Sequence, residues 1–384
     1  MADRIEQIIA ETFQQMADGL ETGSFRKRAK IAVTGIGSEH GEENIMAAAK
    51  AAVAKGIDVY YIGTLESEGV TTVKASDENE VHQVMEQLLA EKKIDAAVTM
   101  HYPFPIGVST VGRVVTPAKG REMFIATTTG TSSTDRVEGM VKNAIYGIIT
   151  AKSCGIEDPS VGILNVEGAR QTEIALKKLA EQGYDINFVE SMRADGGCVL
   201  RGNDVICGTA DVLVCDSLTG NILIKMLSAY STGGSYEAVG SGYGPGIGMD
   251  HDRLVLIISR ASGAPLVTNA MEFASELTKG DVFAVAKEEF AKAKKAGLDD
   301  ILAKLTAKKD ASPKGSKIEM PPKEVVTAAI AGIEVMDLED GVQLLWQNGI
   351  YAESGMGCTG PVILVSEANL EKATDILKQG EYIG

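Results

Sequence analysis

A cysteine framed by glycines is the residue of this chain best suited to covalent chemistry. Cys358 lies in Gly355-Met356-Gly357-Cys358-Thr359-Gly360-Pro361, directly before the apolar run Val362-Ile363-Leu364-Val365. Glycines on both sides let the backbone take positive φ and leave the thiol without bulky neighbours, so an acyl carbonyl could approach the sulfur closely. The competing reading is a small hydrophobe packed at a strand end, a common fate of free cysteine. The other cysteines are Cys154, Cys198, Cys207 and Cys215; no Cys-x-x-Cys pair occurs and histidines number four, so neither a disulfide framework nor a zinc site is encoded. No metal or organic cofactor is expected.

Three further segments are rich in small hydrogen-bonding residues, and each leads from a predicted strand into a predicted helix. They are Gly35-Ile36-Gly37-Ser38-Glu39-His40-Gly41, the run from Thr127 to Arg136 that contains Thr131 and Ser132, and Cys215-Asp216-Ser217-Leu218-Thr219-Gly220-Asn221, which opens the helix bearing Lys225. Turns of this kind suit an anion, because a helix start offers N–H groups and a positive dipole end. Plain N-capping by Ser, Thr, Asp or Asn is the alternative for any one of them. None carries the Gly-Lys-Ser/Thr ending of a phosphate loop, and Gly35-Ile36-Gly37 lacks the third glycine of a dinucleotide fingerprint, so nucleotide binding is not indicated. His40 could serve as an acid or base beside the first turn, and His101 could line the same edge, whereas His82 and His251 read as solvated or capping groups.

The elements that must position these groups follow from periodicity. Short β-branched runs alternate with helical segments, the pattern of an α/β fold with a mostly parallel, doubly wound sheet, and such sheets bind ligands at the carboxyl ends of their strands. Strands are expected at Ile31–Ile36, Asp58–Ile62, Ala96–Met100, Met123–Thr127, Val161–Val166, Ile186–Glu190, Val212–Cys215, Leu254–Ile258 and Val362–Ser366. The organisation reads as an N-terminal amphipathic helix (1–29), an α/β core with the three polar turns (30–232), a Gly-rich loop and strand (233–268), a charged helical insertion and linker (269–322), and a C-terminal segment (323–384) that carries Cys358 and returns to the core sheet. The insertion reads as a solvated helical pair or a docking arm, and 323–335 as a helix.

Composition narrows the function. The chain has 384 residues with 42 glycines, 5% aromatics and a net charge of −16. Such an acidic surface argues against nucleic acid and anionic membrane, and it means that an anionic substrate must be met by a local cation. The N-terminus lacks the basic start of a signal peptide and no apolar run is long enough to span a bilayer, so a cytoplasmic protein with reduced thiols is expected. A reactive thiol with an anion site suggests acyl transfer: the thiolate takes an acyl group as a thioester and phosphate then releases it as an acyl phosphate.

"TADVLVCDSLTGNILIKML", "GIGSEHG", "DPSVGILNVEG" and "GCTGPVILVSEANLEKA" resemble stretches of the phosphate acyltransferases of phospholipid synthesis and of the phosphate acetyltransferases. The opening "ETGSFRKRAKIAVTGIGSEHGEEN" and the cysteine of the closing turn are more similar to the alpha-type subunits of component C of glycine/sarcosine/betaine reductase complexes. That resemblance implies a fold shared with those acyltransferases and isopropylmalate dehydrogenase, a ketosynthase-like beta subunit as partner, a selenoprotein component A as upstream acetyl source, and Cys358 as carrier of the acetyl group before phosphorolysis. Alternatives are acyl transfer from acyl carrier protein to phosphate, or a non-catalytic docking subunit. Two departures matter: the phospholipid relatives have no cysteine in the closing turn, and where phosphate acetyltransferases carry Ser-Arg this chain has Ser366-Glu367. Arg260, Arg136 or Lys225 could replace the missing arginine. Phosphate-binding candidates are therefore Ser38, Thr131, Ser132, Asp216, Thr219, Gly220, Asn221 and Lys225, with Cys358 and His40 catalytic.

One geometric expectation follows. Cys358 precedes its strand while the polar turns follow theirs, so an all-parallel sheet would put thiol and anion at opposite edges. Either 362–366 runs antiparallel, or its loop belongs to a second domain that closes over the cleft, with the sulfur facing the turn at Ser38, Thr131 or Thr219.

Overall fold

Strands buried on both faces show no alternation, and in the computed structural model most of the predicted apolar runs are strands of this kind. The structure describes residues 28–193, 196–310, 320–333, 337–357, 360–380 and 382–383, together with Phe13 and Met16. The expected N-terminal helix lies almost entirely outside these residues, as do Cys358 and Thr359.

In chain order the first half contains β1 (Lys30–Thr34), α1 (Gly41–Ala54), β2 (Asp58–Gly63), β3 (Thr71–Lys74), α2 (Glu78–Ala90), β4 (Ala96–Thr99), β5 (Val108–Val115), β6 (Glu122–Thr131), α3 (Arg136–Ser153), β7 (Ser160–Leu164) and α4 (Ala169–Glu181). It continues with β8 (Asn187–Phe188), β9 (Val199–Leu200), α5 (Gly202–Cys207), β10 (Val212–Val214), α6 (Ser217–Ala229), β11 (Gly244–Ile247), β12 (Val255–Ile257), α7 (Ala264–Lys279), α8 (Val282–Lys295) and α9 (Leu298–Asp310). The C-terminal part holds β13 (Ala328–Ala331), α10 (Leu338–Gln347), β14 (Ala352–Gly357), β15 (Gly360–Val365) and α11 (Leu370–Gln379).

The main sheet has the order β3-β2-β1-β4-β12-β11-β5-β6-β10-β7-β8, with β9 beside β7. Two parallel half-sheets, β3-β2-β1-β4-β12 and β6-β10-β7-β8, are joined through β11 and β5, each of which is antiparallel to both neighbours. Three antiparallel pairings between the halves reverse polarity, so the carboxyl ends of β1 and β12 lie at the opposite end of the sheet from those of β6 and β10. The fold class is as the sequence implies, α/β and mostly parallel, but the expectation that all three polar turns share one edge is corrected: β5 and β11 are strands that the sequence did not reveal.

Helices cover both faces. On one, α1, α3, α7, α8 and α9 share a core with Ile31, Val33, Val98, Ile163 and Val214; on the other, Val81 and Met85 of α2 meet Ala32 and Ala97, and Ile224 of α6 meets Ile125 and Leu213. The charged insertion is therefore not solvated throughout, since Phe290, Ala293, Ile301 and Leu302 are buried in the main core, and its expected start at 269 falls inside the core helix α7.

The C-terminal segment does not return to the main sheet. β13, β15 and β14 form their own antiparallel sheet, in which β14 and β15 pair from Ala352↔Val365 to Gly357↔Gly360. It has a separate core in which Ile330, Ile363 and Val365 pack on Val342, Leu345 and Leu377 from α10 and α11. Residues 328–331, expected as helix, are strand because Ile330 completes that core through its pairing with Ile363. The antiparallel setting of 362–365 is as expected; the sheet to which it belongs is not.

Candidate functional site

The end of the sheet that holds the carboxyl ends of β1 and β12 gathers charge. The first polar turn follows β1, and the Ser259–Gly263 turn follows β12 beside it: Glu39 N–H donates to Arg260 O at 2.9 Å, and His40 Nε2 lies 3.3 Å from Ala261 O. Arg260 reaches back across the first turn, with Nη1 donating to Gly37 O at 3.1 Å and both terminal nitrogens donating to Glu78 at 2.7 and 2.8 Å. These bonds hold the Glu78 carboxyl below its ordinary value. Gly37 sits at φ +102°, and a Cβ there would come within 2.9 Å of Arg260 Nη1, so glycine is what lets the guanidinium lie against the turn.

At the start of α1, His40 makes no capping hydrogen bond through its side chain; the residue is exposed, edge-on to the Tyr236 ring at 5.8 Å between centroids. Ser38 Oγ accepts from the His40 N–H at 3.2 Å. Glu42, in the first helical turn, is drawn aside to Tyr61 Oη at 2.5 Å and to Thr64 N at 2.9 Å. Burial alone would raise its carboxyl value, but the hydrogen bonds from Tyr61 and Thr64 bring it below the ordinary one.

Behind this surface lies a buried carboxylate. Glu237 accepts from Tyr243 Oη at 2.9 Å and from Ser262 Oγ at 3.1 Å, and Lys225 Nζ of α6 stands 3.6 Å away. Its backbone also clamps the turn, since Glu237 N donates to Ala261 O and Gly263 N to Glu237 O. Asn44 of α1 completes the clamp through Ser262 O at 3.0 Å and Ala264 N at 2.8 Å. Burial, with the Glu237 charge adding to it, pushes the Tyr243 hydroxyl above its ordinary value. Glu237, Tyr243 and Glu78 were not foreseen from sequence. The available signal was Glu237 standing as the lone acid in the glycine-rich stretch 233–248.

The other end of the sheet holds the second and third polar turns, and their polar groups satisfy one another. Asp216 caps α6 by accepting from Leu218 N at 3.1 Å, Thr219 N at 3.0 Å and Thr219 Oγ1 at 2.7 Å. Asp135 caps α3 through Glu138 N at 3.0 Å. Asn221 Nδ2 donates to Thr128 O, Ser132 Oγ to Gly139 O, and buried Asn143 links Cys215 O to Ser109 Oγ. Thr131 is exposed at the end of β6, where its carbonyl accepts from Gly107 N. Gly220 packs so tightly that a Cβ would stand 1.7 Å from Thr127 O. Arg136 is paired with Glu167 at this end. A cavity of about 550 Å³ opens nearby between α3, α8, α9 and the 105–108 loop, with an apolar wall of Tyr146, Phe290 and Leu302 and the Glu138–Lys142 pair among its lining.

Thus Ser38, His40 and Arg260 are brought together, with Lys225 joined to them through Glu237, while Thr131, Ser132, Asp216, Thr219, Gly220 and Asn221 form a second group. Among the remaining thiols, burial pushes Cys154 and Cys198 up to about 12 and raises Cys215 as well, which keeps them protonated at neutral pH. Cys207 is half-buried. Among the described residues no helix is long and apolar enough to cross a membrane, and no group of three or more His, Cys, Asp or Glu could hold a metal ion.

The sequence matches the family described as "Fatty acid synthesis protein" over residues 29–364. It is 56% identical over 381 residues, 99% of both chains, to the "Glycine/sarcosine/betaine reductase complex component C subunit alpha" of Peptoclostridium acidaminophilum. It is 24% identical over 249 residues to a phosphate acyltransferase of Gloeothece citriformis, covering 53% of this chain and 68% of that one. A branched-chain phosphotransacylase structure from Enterococcus faecalis superposes with a TM-score of 0.46 at 16% identity, covering 65% of this chain and 99% of that chain.

Proposed function

This chain belongs to the fatty acid synthesis protein family, and from that premise we propose that it moves an acetyl group from a thioester on Cys358 to inorganic phosphate, as a subunit of a glycine/sarcosine/betaine reductase complex. The Cys358 thiolate attacks the carbonyl carbon of an acetyl donor, and the donor's leaving group departs. A phosphate oxygen then adds to the thioester carbonyl, and collapse of the tetrahedral intermediate breaks the C–S bond, returning the thiolate and releasing acetyl phosphate. The thioester retains enough group-transfer potential for that second step. The donor would be delivered by a ketosynthase-like beta subunit, itself fed by a selenoprotein.

The observation that supports phosphate as acceptor is Arg260 laid across the first turn, beside a helix start that His40 leaves uncapped by its side chain. In a chain of net charge −16 an inorganic dianion needs such a local cation. The Arg260–Glu78 pair is well exposed on both sides, so it is worth at most about 1 kcal/mol and is readily exchanged for phosphate. The Ser38 hydroxyl would add to the anion's shell, and His40 could carry a proton at its edge. The polar groups around Asp216, Thr219 and Asn221 already have partners, which supports a structural role for that turn.

The test is mass spectrometry of the purified chain after incubation with acetyl phosphate. An acetyl group is expected on the peptide containing Cys358, absent in Cys358→Ala and present in Cys207→Ala. Undiminished acetyl phosphate turnover in Cys358→Ala would sink the covalent route. A preference for long acyl groups over acetyl would move the reading to acyl carrier protein as donor.

A further inference from the structure

The cavity beside the carboxyl end of β6 has no part in the transfer proposed above, since the Arg260 turn lies at the opposite end of the sheet. It encloses about 550 Å³, a volume within the range of small-molecule sites, and both halves of the molecule build it. Its walls are α3, α8, α9 and the two stretches, 105–108 and 249–251, where the chain passes between the half-sheets. The inner wall is apolar, with Tyr146, Phe290 and Leu302; the Tyr146 hydroxyl is already spent on Gly107 O at 2.7 Å, so that wall offers ring and alkyl surface. The polar groups lean to one sign. Glu138, Asp250 and Asp299 set three carboxylates against one ammonium, that of Lys142, which already donates to Glu138. His251 adds no charge, because burial holds its imidazole below the ordinary value and the ring is neutral at pH 7. Its Nε2 is shut off from water and has no hydrogen-bond partner among the described residues.

We propose that this cavity binds an organic ammonium ion, a protonated amine carried on an apolar body. Two unlike surfaces in one concavity select that class. The apolar body displaces water from the Tyr146, Phe290 and Leu302 wall, while the ammonium stands among carboxylates, to which its N–H bonds are charge-assisted. An anion is opposed by the excess of acid, and the cation that could receive it is already paired. A bare metal ion is a poor match too. Three carboxylates and an imidazole line the cavity, yet no group of three or more His, Cys, Asp or Glu among the described residues could hold a metal. Carboxylates spread in this way cannot share an inner coordination shell, whereas an ammonium needs only one or two of them. A neutral imidazole can leave either nitrogen unprotonated, so a ligand N–H is also the kind of partner that His251 Nε2 lacks. A ligand seated here would tie α3 to α8 and α9 and touch both crossings, so its binding energy would add to the stability of the joint between the half-sheets.

The experiment is isothermal titration calorimetry of the purified full chain at pH 7 with 2-phenylethylammonium, and with 2-phenylethanol as the neutral counterpart of similar shape. The ammonium should bind at one site per chain with a Kd below about 1 mM, and the alcohol at least about tenfold more weakly. A variant carrying both Asp250→Asn and Asp299→Asn, two exposed positions where the change should not disturb the fold, should weaken the ammonium about tenfold and leave the alcohol unchanged. Ala303→Trp, which places a large ring in the cavity from α9, should abolish binding of both; circular dichroism checks that each variant is folded. No heat of binding from the ammonium, equal affinity for the alcohol, an unaltered Kd in the double asparagine variant, or an unaltered Kd in folded Ala303→Trp would each overturn the proposal.

Discussion

The two ends of the main sheet solve the same local problem in opposite ways. Each has strands that run into helices through turns made of Gly, Ser and Thr. At the end bearing β6 and β10, the helices are closed by their own aspartates, Asp135 and Asp216, and hydroxyls and amides bond inward until little polar capacity faces out. At the end bearing β1 and β12, α1 begins at an exposed His40 with no side-chain cap, and an arginine from the turn after β12 is laid over it. The same residue types thus make a fastening at one end and a receptive surface at the other. Whether the capping side chain is present in the turn separates the two.

Substitutions can break this contrast, and the largest effect should come from the fastened end. Gly220→Ala puts a methyl 1.7 Å from Thr127 O, where only backbone could yield, and should lower unfolding stability by about 3 kcal/mol in urea titration. A variant as stable as wild type would mean that α6 is not seated as tightly as described. At the receptive end, Arg260→Ala should raise the phosphate KM about tenfold to a hundredfold, the worth of hydrogen bonds to a charged group, while shifting stability by less than about 1 kcal/mol. Unchanged phosphate dependence would remove Arg260 from the site.

Alkaline titration sharpens the comparison further. Burial, helped by the Asp216 charge, raises the thiol of Cys215 above its unfolded value of about 8.5, so the native state keeps a proton that the unfolded chain releases. Stability from this group is complete below pH 8.5 and falls as pH rises toward the native value, by up to about 1.4 kcal/mol per unit. Cys215→Ala should make that limb shallower, leaving the remainder to Cys154, Cys198 and buried tyrosines such as Tyr184 and Tyr243; an identical limb would show that Cys215 does not contribute. The smallest effect is expected from Asp216→Ala, a lost cap worth about 1 kcal/mol in thermal unfolding with phosphate KM changed less than about twofold. A large rise in KM there would return phosphate to the α6 turn.

The strands that carry β-branched runs, such as β1, β2, β7 and β10, were legible, and so was the α/β class. The two that decide the polarity of the sheet were not. β5 reads VSTVGRVV, with an arginine and a glycine in a central position, and it is a strand because Arg113 is buried against Glu276 at 2.5 Å and under the Phe273 ring, neither of which is near in sequence. β11 reads GPGI within a glycine-rich stretch, and its place between β5 and β12 comes from close backbone approach, with Gly244 so near Val111 O that a Cβ would stand 1.8 Å away. Of the site, Ser38 and His40 were legible as a polar turn, whereas the cation proposed to meet phosphate could be narrowed only to Arg260, Arg136 or Lys225. Two of the three partners of Glu237, Lys225 and Ser262, stand 12 and 25 residues away in sequence, and no local pattern encodes such a network.

The order of strands also bears on how the molecule is made. β4 and β5 are separated in sequence by 100–107, yet in the finished sheet β12 and β11 stand between them. A ribosome delivers every other strand of the main sheet before it delivers 244–257, and until then the two halves present unpaired edges at β4 and β5. Such edges invite pairing with other chains. The emerging polypeptide therefore passes through an interval in which its most buried surfaces are its most adhesive, and the interval closes when one short glycine-rich hairpin slides into the gap.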